Sequence, residues 1–271
     1  MRVTLLQTDI VWEDKQENLR LLRRKLKALR GVAEIVVLPE TFSTGFSMDS
    51  RRLAEPVSGV TIATLRQWAA EFQFAITGSY IACDEEVDVN KNAVPIPDKS
   101  YYNRAFFLTP EGGAYYYDKR HLFRMGQETK HFTAGSQRPV ISYRGWNILQ
   151  LLVCYDLRFP VWSRNVNNEY DLLIYVANWP VPRRRVWDIL LQARALENIS
   201  YVCGVNRIGT DGNQMLYNGG SVIYSPKGDL LASVPDHEEG TATATLDLSV
   251  LREFRQKFPA WKDADAFSIN N

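Results

Sequence analysis

The sequence predicts one α/β domain built on mixed β-sheets, and three observations carry that expectation. Strand-like and helix-like apolar patterns alternate along the whole chain, two pairs of strand patterns are joined by tight turns, and no linker or repeat interrupts them. With 271 residues, 45% hydrophobic and 23% charged, the chain is long enough to bury a full core and too apolar to be disordered or fibrous.

RVTLLQT (2–8) alternates like a strand, and Leu19, Leu22, Leu26 and Leu29 then recur at helical spacing among Arg and Lys residues. EIVVL (34–38) reads as a second strand, Ile62, Leu65, Ala69 and Phe72 as a second amphipathic stripe, and FAITGSYIA (74–82) as a third strand. Residues 83–99 are polar and proline-bearing. YYNRAFFLT and AYYYD flank the turn residues PEGG, which predicts a hairpin. From Val140 onward come ISY, NILQLLV, DLLIYVA, a helix over 183–198, YVCGVN, and a last hairpin with SPKGD at its tip. Sheets that carry both crossover helices and hairpins are mixed, with helices on an outer face. Periodicity leaves open whether there is one doubly wound sheet or two sheets packed face to face.

Lys plus Arg is 32 against 31 for Asp plus Glu, a formal charge of +1, so neither nucleic acid nor a membrane is an expected partner. Small, locally recognised substrates fit better. Cys83, Cys154 and Cys203 are odd in number and form no CxxC pair, so no zinc site or disulfide framework is expected and a reducing compartment is implied. Asp9 and Glu13 interrupt the N-terminal apolar run, and no stretch approaches the roughly 20 apolar residues that span a bilayer. The expected location is the cytoplasm.

In open α/β sheets reactive side chains collect beyond the C-terminal ends of strands. Glu40 follows EIVVL, Lys119 follows AYYYD, and Cys154 follows NILQLLV. Each alone has a bland reading: a helix-start carboxylate, a solvated charge in a KRH run, a small buried hydrophobe. Together they are a base, a charge stabiliser and a nucleophile, the set that acyl transfer through sulfur requires. A cysteine is mostly thiol at neutral pH, so Lys119 is expected to lower its pKa and a partly buried Glu40 to take its proton.

VVLPETFSTGF, DKRHLF and LLVCYDLRFP, with the later ANWP, ARALENISYVCGVNRIG and GGSVIYSPKG, resemble the nitrilase superfamily of carbon-nitrogen hydrolases over roughly residues 1–258, in the family's order. YNRAFFLTPEGG, KRHLFRMGQE and CYDLRFPVW look most like the bacterial omega-amidase type, which acts on 2-oxoglutaramate and related monoamides of dicarboxylic acids. Val161 and Trp162 stand where many amidases of the wider family have a Glu after RFP, a departure that fits this branch. The resemblance implies a four-layer αββα sandwich of two mixed sheets covered by helices. It also implies a homodimer formed by outer helices, with the tail 259–271 packing at that interface. Cys154 matches the family's nucleophile, Glu40 its base, Lys119 its stabilising cation, and Glu128 in MGQETKHF a second carboxylate near them.

The implied reaction is hydrolysis of a small-molecule amide to acid and ammonia through a thioester, with the Tyr155 N–H helping Lys119 hold the oxyanion. Phe42, Tyr155, Asn178 and Trp179 are the candidate substrate contacts, Trp179 having an equal claim to the core. Asp156 and Arg158 are read as braces of the turn after Cys154, paired with helix residues such as Glu197. Cys203 reads as packing and Cys83 as incidental. His121 and His131 lack a metal-ligand spacing and no glycine-rich phosphate loop appears, so neither metal nor cofactor is expected. A substrate carboxylate needs a cation, and Arg104, Arg124, Arg183, Arg184 and Arg185 are open candidates. A general aliphatic amidase, an N-carbamoyl hydrolase or a nitrilase would keep the same three residues. A non-catalytic binding member of the fold would be expected to have lost one of them.

Overall fold

The computed structural model describes residues 1–84 and 100–269; the polar segment read at 83–99 lies outside them from residue 85 onward. In the first sheet β1 (Arg2–Gln7), β2 (Ile35–Val37) and β3 (Ala75–Cys83) run parallel, and β4 (Tyr101–Leu108) and β5 (Ala114–Asp118) continue antiparallel as the expected hairpin. In the second, β6 (Val140–Tyr143) is antiparallel to β7 (Trp146–Val153), which runs parallel with β8 (Leu172–Ala177) and β9 (Tyr201–Asn206). A separate hairpin, β10 (Ile208–Thr210) and β11 (Leu216–Asn218), precedes β12 (Val222–Tyr224) and β13 (Leu230–Ser233), which close that sheet. Finally β14 (Gly240–Thr245) returns to pair with β1, giving the orders β14-β1-β2-β3-β4-β5 and β13-β12-β9-β8-β7-β6.

The two sheets pack face to face, and side-chain alternation explains why. Val3 and Leu5, Ile35 and Val37, and Ala105 and Phe107 point inward against Ile148, Val153, Ile174 and Val176 of the second sheet. Leu6, Val36, Ile76, Phe106 and Leu108 point the other way, into a cluster with Leu22 and Leu26 of the helix Lys15–Lys27 and Ile62, Leu65, Trp68 and Phe72 of the helix Val60–Phe72. Strands buried on both faces read as unbroken apolar runs, which is why the sequence shows them clearly and the layering not at all. Trp187, Leu191 and Ala195 of the helix Arg184–Asn198 cover the second sheet. A Cβ at Gly204 of β9 would lie 2.4 Å from Leu191, so this glycine lets that helix seat. The result is an αββα sandwich. Among the described residues no helix is long and apolar enough to cross a membrane.

The topology sends Glu40, Lys119, Cys154 and Asn178 to one end of the sandwich, because each follows the C-terminal end of β2, β5, β7 or β8. Asn103, near the start of the antiparallel β4, comes to the same end.

Candidate active site

Cys154 is the first residue after β7 and opens the short 3-10 helix Cys154–Arg158 with φ of 46°. Thr41, next to Glu40, has φ of 43°. Left-handed backbone at residues with a Cβ costs on the order of 1–2 kcal/mol each, and here it occurs at both chain reversals that present the reactive groups. Glu40, Lys119 and Glu128 are all fully buried. Lys119 Nζ donates to Glu40 Oε1 at 3.1 Å and to Glu128 at 3.0 Å (Oε1) and 2.9 Å (Oε2). Glu128 Oε2 also accepts the Phe123 N–H at 2.5 Å, which ties the short helix Glu128–His131 to the lysine loop.

Two buried carboxylates share one buried ammonium. Burial opposes the Lys119 charge, but Glu128 and Glu40 outweigh it and hold the ammonium above its ordinary pKa. Burial raises Glu128, against the pull of Lys119 and with help from Glu40. Cys154 is pushed well above the ordinary thiol value, first by burial and then by Glu40, with Lys119 pulling down and losing. Lys119 lowers the thiol's pKa as expected, but burial and Glu40 outweigh it.

A cavity of about 260 Å³ opens over Cys154 and Glu40, walled by Phe46, Phe123, Tyr155, Trp179, Arg158 and Arg183 among others. Tyr155 packs edge-on against Phe123 and Phe159, ring centroids 5.1 Å away in each case. Asn178 lines the cavity and also grips the base: its N–H donates to Glu40 Oε2 at 2.7 Å and its Nδ2 to the Glu40 carbonyl at 2.8 Å. Trp179 serves both readings, facing the cavity while its ring lies 5.5 Å from Trp187 in the core and its Nε1 donates to the Arg183 carbonyl.

Against known proteins, the family model described as "Carbon-nitrogen hydrolase" matches residues 2–256. The chain belongs to the carbon-nitrogen hydrolase family. It is similar to "Omega-amidase YafV" of Escherichia coli (strain K12), 43% identical over 99% of this chain and 98% of that one. It is similar also to "2-oxoglutaramate amidase" of Bacillus subtilis (strain 168), 30% identical over 96% of each. Among solved structures, a CN-hydrolase superfamily protein from Xanthomonas campestris with an arsenic adduct in its active site superposes with a TM-score of 0.92 at 38% identity, covering 100% of this chain and 99% of that one. This carbon-nitrogen hydrolase is an enzyme that acts on carbon-nitrogen bonds, and its relatives make it an amidase.

Two sequence-based assignments in the carbon-nitrogen hydrolase need correction, and one residue is added. Phe42 does not line the cavity: the reversal at Thr41 turns it into the outer core, edge-on to Phe106 at 5.9 Å, and Phe46 takes the expected place with Lys119 Nζ 5.3 Å from its ring centroid. Asp156 braces the turn, but its partners are the Val153 N–H (2.9 Å), the Tyr117 hydroxyl (2.9 Å) and His121 rather than a helix residue. Glu197 pairs with Arg194, whose guanidinium caps the Leu157 carbonyl at 2.7 Å, so Arg158 is left facing the cavity. The added residue is Asn103, whose Nδ2 reaches Glu40 at 2.7 Å and Glu128 at 3.2 Å. A signal was present: Asn103 shares a strand face with Ala105 and Phe107, and an amide on an inward-facing apolar row needs a buried partner.

Proposed function

We propose that this hydrolase cleaves small monoamides carrying a second, distal carboxylate, of the 2-oxoglutaramate and succinamate kind, by a Glu40-Lys119-Cys154 mechanism with Glu128 in support. The meeting of Glu40 and Cys154 in the wall of one cavity, with the buried Lys119 paired to Glu40, carries this reading. Sγ attacks the amide carbonyl as Glu40 takes the thiol proton, and a C–S bond forms. The oxyanion faces the Lys119 ammonium and the Tyr155 N–H, which in the first turn of its helix lacks an intrahelical partner. Glu40 returns the proton to nitrogen, ammonia leaves, and a thioester remains. Glu40 then deprotonates a water that attacks the thioester, the C–S bond breaks with the proton returning to sulfur, and the acid is released.

Lys119 is buried beside Glu40 and Glu128 and is not part of the cavity wall, so the distal carboxylate of a substrate needs another cation. Of the five arginines left open by the sequence, Arg104 is engaged by Asp118, Arg184 by Asp188 and Asp236, and Arg183 lines the cavity. Arg158 joins it there. Among the described residues neither guanidinium has an ion-pair partner; Arg158 lies over the Trp179 ring at 5.4 Å and Arg183 over Phe123 at 5.0 Å. Asp211 also lines the cavity, but its oxygens are taken by the Asn213 and Met215 N–H groups and the Tyr217 hydroxyl.

The test compares ammonia release from 2-oxoglutaramate, succinamate, butyramide and butyronitrile. Hydrogen bonds to a charged group contribute about 1.5–3 kcal/mol, so succinamate should exceed butyramide at least about tenfold in kcat/KM. Equal rates on those two would mean a general aliphatic amidase, and activity on butyronitrile alone a nitrilase. The dimer belongs to the same proposal: the helix Arg184–Asn198 exposes Ile189 and Leu196, and the helix Leu248–Lys257 exposes Val250, apolar surface that a second copy would cover. A monomer by light scattering would remove that element.

A further inference from the structure

We propose that Asn103 is a positioning residue that selects which oxygen of Glu40 serves as the base, an inference that rests on Glu40 acting as base. Asn103 is 1% exposed and lies between the two buried carboxylates. Each carboxylate oxygen has two lone-pair directions. On Glu40, Oε1 accepts from Lys119 Nζ at 3.1 Å and Asn103 Nδ2 at 2.7 Å, which fills it. Oε2 accepts the Asn178 N–H at 2.7 Å, and the Asn178 side chain stands off at 3.4 Å. The oxygen with room for the Cys154 proton is therefore Oε2, on condition that Asn103 keeps Oε1 occupied and the carboxylate from rotating.

The orientation of the amide is fixed from behind. Ser79 Oγ accepts the Thr41 N–H at 2.8 Å, so its own proton goes to Asn103 Oδ1 at 3.0 Å and both Nδ2 hydrogens face the carboxylates. Thr41 follows Glu40 in the chain, so the contacts close a ring: Glu40, Thr41, Ser79, Asn103 and back to Glu40. The backbone carbonyl of Asn103 also accepts the Lys119 N–H at 3.0 Å, so one residue of β4 sets both the base and its cation. Lys119 already supplies the only positive charge in this cluster of Glu40, Glu128, Lys119 and Cys154. A neutral amide adds two donors without adding a second cation that would bind Glu40 and Glu128 more tightly as anions.

Asn103→Leu, Ser79→Ala and Glu40→Gln, compared with the wild type, test the idea. The measurements are kcat and KM for ammonia release across pH and the melting transition of each variant. Folded Asn103→Leu should lose about 10- to 100-fold in kcat, the size of one hydrogen bond to a charged group, with KM within about threefold. The acid limb of its kcat profile should move to higher pH, because Glu128 loses a donor to its charged form. Ser79→Ala, a smaller change at the back of the ring, should shift both readings in the same sense by less. A folded Asn103→Leu with wild-type kcat and acid limb, or with its loss confined to KM, overturns the proposal. Should Asn103→Leu not fold, Ser79→Ala decides alone, and an unchanged acid limb and kcat overturn it. Glu40→Gln with wild-type activity would instead remove the base assignment on which the proposal stands, a failure distinguishable from the others.

Discussion

Strand β8 has a buried charge cluster at each end, and the two are built to different rules. At its N-terminal end Asp171 pairs with Arg255 at 2.8 Å, one charge of each sign. The remaining groups are satisfied: Arg255 also donates to the Ile199 and Tyr170 carbonyls at 3.0 and 2.7 Å, and Asp171 accepts the Asn147 N–H at 2.9 Å. At its C-terminal end Asn178 leads into Glu40, Lys119 and Glu128, two carboxylates for one ammonium, with a thiol alongside. Buried ion pairs hold a fold only when charge and hydrogen bonding both balance. The balanced cluster clamps the helix Leu248–Lys257 to the second sheet. The unbalanced one leaves a carboxylate in excess beside Cys154, the arrangement the proposed mechanism needs for a proton acceptor.

The largest effect expected from breaking this comparison is on chemistry at the unbalanced end. Cys154→Ala should reduce ammonia release by three orders of magnitude or more, roughly the scale seen when a nucleophile that works as a unit with its base is removed, with the melting transition preserved. A Cys154→Ala protein turning over at the wild-type rate would reject the mechanism. The next effect lies at the balanced end. Arg255→Met strands Asp171 in the interior and should lower stability by about 3–5 kcal/mol in urea unfolding without changing kcat. Glu128→Gln should invert that pattern, changing stability by less than about 1 kcal/mol because it removes the surplus charge, while kcat falls at least about tenfold. Similar stability losses for the two substitutions would mean that both clusters are structural.

Smaller effects sharpen the picture of the thiol. Iodoacetamide should modify Cys154 before Cys83 and Cys203, because Cys154 is half-buried in a cavity wall and the others are buried. Peptide mass mapping reads the order, and equal or earlier labelling of the other two would count against the assignment. The smallest effect is in alkaline stability. The folded Cys154 thiol keeps its proton above its ordinary pKa of 9.0, where the unfolded one ionises. The folded state then binds more protons, so stability falls as pH rises. Between pH 9 and 10, below the ordinary values of 10.0 for the buried tyrosines and 10.5 for Lys119, wild type should lose up to about 1.4 kcal/mol per pH unit more than Cys154→Ala. Parallel stability curves for the two proteins would show that burial does not hold that proton.

Much of this was legible in the chain. Alternation located β1 to β9 and the helices Val60–Phe72 and Arg184–Asn198 to within a residue or two, because strands and helices bury apolar side chains at different periods; the stripe from Leu19 to Leu29 overran the helix Lys15–Lys27, and the helix Leu248–Lys257 was not read. The strand-end rule found Glu40, Lys119 and Cys154, whose positions depend only on where each strand stops. Phe42 was misread because the fate of its side chain hangs on a left-handed turn at Thr41, a residue type that rarely adopts one. Arg158 was given the wrong partner because Glu197, on the helix expected to supply it, pairs instead with Arg194 of the same helix.

The sequence by itself determined the element order, the α/β class and the placement of Glu40, Lys119 and Cys154 just beyond strand ends, since these follow from local periodicity and the ends of local segments. Only the tertiary structure decided that Asn103 joins the cluster, that Lys119 is shared by two carboxylates, and that burial and Glu40 together raise the Cys154 thiol's pKa against the pull of Lys119. Those outcomes depend on electrostatics and hydrogen-bond geometry between residues as far apart as Glu40 and Asn178. A charge's effect falls with distance and grows with burial, and neither quantity is written in the order of residues.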